Sequence, residues 1–156
     1  MKLLRVIASE IGRGLVSGFV GTVAMTIAST IEMKLRGRPP SDAPAAAAGK
    51  VLGVQPRDEA GKRRFGSAVH FAYGTSWGLG RAAVGGLLCA FGVRRALAAP
   101  VAHFLAVWGS ELVMLPALRV APPAWRWGAK EIAIDMFHHG VYVTATDAAY
   151  RALGRR

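Results

Sequence analysis

The chain has 156 residues, 53% of them apolar, with 20 Lys and Arg against 9 Asp and Glu and a mean hydropathy of +0.32. That length gives one domain, and an apolar excess with its charges gathered in clumps excludes an ordinary water-soluble globule and points to the bilayer. The net charge of +11 suits anionic lipid head groups, because the basic residues flank apolar runs, as at Lys62-Arg63-Arg64, Arg94-Arg95 and Arg155-Arg156. A nucleic-acid partner is excluded: no zinc-ligand cysteines, aromatic RNA-binding motif or soluble basic helix accompanies the charge.

The fold expected is all-α, an integral membrane bundle of four transmembrane helices, at about 10–34, 66–92, 95–118 and 129–152, with a short surface helix in the first loop. The first apolar run, 14–31, carries no charge. Glu10 in its head region and its Gly-rich rather than Leu-rich character make it a retained helix instead of a cleaved signal. Gly14, Gly18, Gly21 and Ala28 form a small-residue stripe at 100° per residue, and Glu32 lies on the same stripe, aimed toward the bundle.

After that helix, Arg36-Gly-Arg-Pro-Pro-Ser41 stops helical structure, and Asp42 reads as the cap of an Ala-rich helix ending near Gly53. The second span has its own ladder at Gly74, Gly78, Ala82 and Gly86. His70, Trp77 and Arg81 share a different stripe. Arg81 needs a carboxylate partner inside a membrane, and Glu111 and Asp135 are the candidates. Cys89, the single cysteine, excludes an internal disulfide and reads as a packing residue.

The third span contains one charge, Glu111, and ends at Leu115-Pro116. Trp125 and Trp127 in the following loop read as an interfacial belt. If the helices alternate in direction, the first and third loops share a side with 11 Lys and Arg against 8 on the other, which favours those loops being cytoplasmic. The fourth span is the most polar, with Asp135, His138, His139 and Asp147. Glu131, Asp135, His138, His139 and Tyr142 occupy an arc of roughly 100° on it, too polar to face lipid.

Depth brings these residues together. With alternating helices, Glu32, His70, Glu111, Asp135, His138 and His139 all fall in the half of the membrane nearest the first and third loops. Carboxylates and imidazoles from four helices at one level are a ligand set for a divalent transition metal, or a path for protons. The plainer alternative is a structural polar network that fixes helix register. His103 stands apart and is expected to satisfy a local hydrogen bond. A bis-histidine haem using His103 with His70, His138 or His139 has no attachment motif behind it. No phosphate loop, nucleophile elbow or dinucleotide fingerprint is present, so nothing in the sequence marks an enzyme.

The run from Leu115 through Arg119-Val-Ala-Pro-Pro-Ala-Trp125, followed by Glu131 to His139 and a last helix ending in Tyr150-Arg151, resembles the C-terminal half of the YagU-like bacterial inner-membrane proteins. Glu32 followed by Arg38-Pro-Pro40, and His70 opening a Gly-rich helix, are similar to the N-terminal half of that family. The resemblance spans most of the chain and implies a multi-pass bacterial inner-membrane protein in which Glu32, His70, Asp135 and His139 are shared polar positions. It supplies no reaction. The rival function is a non-catalytic accessory or assembly subunit, held to a larger membrane complex, or to further copies of itself, through its Gly-rich faces.

Overall fold

A computed structural model describes residues 2–93 and 95–154, with the backbone alone at 95 and 96. Among the described residues there are five α-helices and no strand: α1 (Lys2–Arg36), α2 (Ala43–Leu52), α3 (Glu59–Ala90), α4 (Arg95–Ala117) and α5 (Ala129–Leu153). A single 3-10 turn, Ala124–Arg126, lies between α4 and α5. The four long helices cover the four stretches expected to be helical, and α1 and α3 begin several residues earlier than the apolar runs alone suggest.

The breaks follow local chemistry. Gly37 at φ 63 ends α1 and returns the amide of Arg38 to the Met33 carbonyl at 3.1 Å, a left-handed turn that a side chain resists. Pro39 and Pro40 then exclude further helix. Asp58 caps α3 by accepting the Gly61 amide at 2.6 Å. Asp42 takes the N-cap position of α2 as expected, its carbonyl accepting the Ala46 amide at 2.9 Å, but its side chain makes no cap hydrogen bond. Its carboxylate is taken by Lys62 at 2.5 Å, which raises the Lys62 ammonium above its ordinary range. Arg119 adopts φ 53, and the Leu118 and Arg119 carbonyls accept the Lys50 ammonium at 2.7 and 3.1 Å, which ties α2 to the end of α4.

Pairs across the seams fix the topology. Gly14 meets Gly78 and Thr26 meets His70; Arg36 meets Glu131; Tyr73 meets Ser110; Glu111 meets His139. Each long helix is therefore antiparallel to the next in an up-down-up-down bundle, with α1 closing against α5. The tightest seam is α1 with α3. A Cβ added at Gly14 would lie 2.8 Å from the Gly78 carbonyl oxygen, and one at Gly18 would lie 2.8 Å from the Gly78 nitrogen. The small-residue stripes of both helices are thus used against each other and, at Gly21, against Tyr142 and Thr146 of α5.

The distribution of side chains is inverted relative to a water-soluble protein. Fully buried positions include His103, Thr22, Thr146 and Ser17, whereas Phe19 is 51% and Val113 70% exposed, with many Leu, Ile and Val like them. A small apolar cluster of Val107, Tyr142 and Val143, flanked by Met25, Trp77 and Phe104, fills the centre. Among the described residues two helices are long and apolar enough to cross a membrane, Lys2–Arg36 and Leu97–Ala117. The other two are long enough, at 32 and 25 residues, but carry buried polar side chains. Cys89 is exposed, not packed inside as expected.

Candidate metal centre

Antiparallel pairing of α4 with α5 brings Glu111, Asp135 and His139 together, each offering one ligand atom within 4.8 Å of the others. Asp135 and His139 share a face of α5 because they are four residues apart. The His139 Nε2 lies 2.7 Å from Glu111 Oε2, and its Nδ1 lies 3.0 Å from the Asp135 carbonyl oxygen. A carbonyl only accepts, so Nδ1 carries a proton and donates, leaving Nε2 to face the carboxylate. A metal-bound imidazole is oriented in the same way, with one nitrogen on the ion and the other donating to a backbone carbonyl.

Asp135 is held in turn. Its Oδ2 accepts the Trp108 indole N–H at 2.7 Å, and its Oδ1 lies 3.7 Å from the Nδ1 of His139. The imidazole is 8% exposed and forms the floor, while Glu111 and Asp135, at 25% and 26%, form the rim. An open side is what a metal needs to keep a position for water or substrate. Ligands about 2.1 Å from a tetrahedral ion stand about 3.4 Å apart, so Glu111 and His139, in direct contact at 2.7 Å, must part to admit one.

The other expected site residues lie elsewhere. Glu32 is engaged by Arg38, whose Nε sits 3.0 Å from both carboxylate oxygens, and by Arg36 at 3.0 Å. Arg36 also reaches Glu131 at 2.5 Å, joining α1 to α5 at the loop end of the bundle. The His70 Nε2 lies 3.1 Å from Thr26 Oγ1. The Thr26 hydroxyl donates to the Thr22 carbonyl, so its oxygen accepts from His70. His138 is buried, and its Nε2 has no hydrogen-bond partner. His103 donates from Nε2 to the Trp77 carbonyl at 2.9 Å, across to α3. It stands about 12 Å along α4 from Glu111, so the structure does not gather it with His70, His138 or His139.

The expected partners of Arg81, Glu111 and Asp135, are corrected. Arg81 instead pairs with Asp147, at 2.9 Å from Nε and 2.7 Å from Nη2, both residues being only 4% exposed. The reason is depth: Arg81 lies about 16 Å along α3 from His70, toward the end of the bundle opposite the triad. There Asp147 also accepts Arg151, and the Arg81 guanidinium lies 4.6 Å from the centre of the Tyr150 ring. Arg13 covers that ring as well, at 4.3 Å, and pairs with Glu10. Sequence reasoning missed this second polar cluster, and it also missed Trp108, which no spacing rule singles out.

Scans against protein families, curated proteins and solved structures find no match to this chain. The chemistry of the site rests on its own geometry. Replacing Trp108 with phenylalanine removes the donor that orients Asp135. The expected result is a 10–100-fold weaker affinity for divalent ions, measured by zinc titration of the purified protein, with the helix content of the bundle unchanged.

Proposed function

We propose that this chain crosses a bacterial inner membrane four times and holds one divalent transition-metal ion between α4 and α5, on Glu111, Asp135 and His139. The observation that carries this reading is the convergence of the three ligand atoms within 4.8 Å around an imidazole whose Nδ1 is already committed to a backbone carbonyl. Borderline metals such as zinc accept both imidazole and carboxylate. The inverted distribution of apolar side chains supports four crossings: the polar faces of α3 and α5 turn inward, and phenylalanine, leucine and valine are left for lipid. The resemblance to YagU-like proteins supports the same location, with the lipid bilayer as the immediate partner.

Elemental analysis of detergent-purified protein tests the reading. One ion per chain is expected, falling at least tenfold in occupancy with Glu111→Gln or His139→Ala. Binding should weaken as the solution is acidified through the imidazole range, because an incoming ion must replace a proton on His139. Protein free of metal under every loading condition removes the proposal.

The direct 2.7 Å contact between His139 and Glu111 favours a second use of the same residues, proton transfer. Tight vesicles that show no pH-driven flux would dispose of it. The accessory-subunit reading draws less support, since the small-residue stripes that motivate it are occupied by internal contacts at Gly14, Gly18, Gly21, Gly74 and Gly78.

A further inference from the structure

The end of α4 is shaped for a glycine and carries an arginine instead. The Leu115 carbonyl accepts the Val120 amide and the Pro116 carbonyl accepts the Arg119 amide, both at 2.9 Å. This pair of hydrogen bonds closes a helix through one left-handed residue. That residue is Arg119, at φ 53, the one non-glycine with a positive φ among the described residues. Gly37, Gly53 and Gly92 serve just beyond the ends of α1, α2 and α3, where they meet no steric cost. Arginine makes the same turn against its own Cβ, and a strained position of this kind points to a use for the side chain.

The surroundings indicate which use. Arg119 is exposed, and no carboxylate pairs with it among the described residues. It edges an open groove of about 430 Å³ whose other walls are Pro116, Val120, Ala121, Pro122 and Pro123. The prolines stiffen those walls, and the Trp127 indole donates to the Pro122 carbonyl at 2.7 Å. Lys50 of α2 stands beside Arg119: two of its N–H groups go to the Leu118 and Arg119 carbonyls, and a third is left over. Trp125, 82% exposed in the next turn, is of the type that settles at the level of lipid head groups. A guanidinium and an ammonium over apolar walls complement a phosphate ester that carries acyl chains.

We propose that Arg119, Lys50 and the proline-walled groove bind the head group of one anionic phospholipid, in the leaflet at the loop end of the bundle. The proposal rests on the chain lying in a membrane and is independent of any ion at the triad. It differs from a general attraction of basic loops to lipid in depending on one side chain.

Native mass spectrometry of the full chain in detergent, titrated with phosphatidylglycerol or with phosphatidylcholine of the same acyl chains, tests it. One phosphatidylglycerol per chain is expected, bound about fivefold more tightly than phosphatidylcholine, the effect of roughly one basic residue near anionic lipid. Arg119→Gly should erase that preference. Because glycine suits φ 53, the same variant should resist thermal unfolding at least as well as the unaltered chain, which separates lost binding from lost folding. Arg57→Gln removes another exposed cation, from the loop before α3, and should keep the preference. Equal binding of the two lipids, or a preference that survives Arg119→Gly, overturns the site. An equal loss with Arg57→Gln does so too, since it marks diffuse charge. Should Arg119→Gly unfold, Arg119→Gln is held to the same comparison. Release of the chain from membranes by alkaline carbonate would remove the membrane reading and this site with it, whereas a retained chain without the preference loses the site alone.

Discussion

Replacing Asp147 with leucine is expected to destabilise the bundle by about 3–5 kcal/mol, the usual effect of leaving one member of a buried ion pair without the other. Arg81 would keep the Tyr150 ring beneath it but lose the carboxylate it pairs with. Arg81→Leu should fall at the lower end of that range, because Asp147 retains Arg151. The double change to two leucines should recover most of the loss, since an apolar pair of similar volume replaces a desolvated one. Denaturant titration of the helical signal in micelles gives all three values. Single changes that simply add in the double variant would show that the two charges do not depend on each other.

A larger effect on assembly is expected at Gly78. Any side chain there would drive into the Gly14 carbonyl and lie 2.7 Å from the Gly18 nitrogen, both backbone atoms that cannot rotate away. Overpacking a core costs about 1–3 kcal/mol when side chains can shift, and a backbone obstruction exceeds that. Gly78→Val should therefore part α1 from α3 and abolish a single monodisperse peak on size exclusion. Gly86→Ala is the matched control, because its Cβ meets nothing within 4 Å. A well-behaved Gly78→Val protein would mean that the α1–α3 seam is not as close as the structure has it.

The helices were legible because hydrophobic run lengths and the breakers at Pro39-Pro40, Gly53 and Gly92 mark them directly. Direction was legible too, since short loops force neighbours to be antiparallel, and this alone brings Glu111 to the level of Asp135 and His139. The same depth counting, carried to the other end, would have found the Arg81 partner. Counted from expected helix starts at 66 and 129, Arg81 lies 15 residues in and Asp147 18, whereas Asp135 lies 6 in. What sequence could not supply was competition. Glu32 is drawn away from the triad by guanidiniums three-dimensionally close to it, Asp42 by Lys62, and His70 by a threonine whose own proton is already spent. Each depends on rotamers and on neighbours distant in the chain, to which periodicity is blind.

The helix carrying Glu111 has no counterpart to the glycine seam that locks α1 to α3. Beyond the apolar packing of Phe104 and Val107, its polar contacts to the other long helices run through side chains: Tyr73 to Ser110, His103 to Trp77, Trp108 to Asp135 and Glu111 to His139. Two of those four links pass through the triad itself. On the proposed reading, an ion in that triad would rivet α4 to α5, so that loading it would fasten this helix and stripping it would loosen α4 while the other three stay joined.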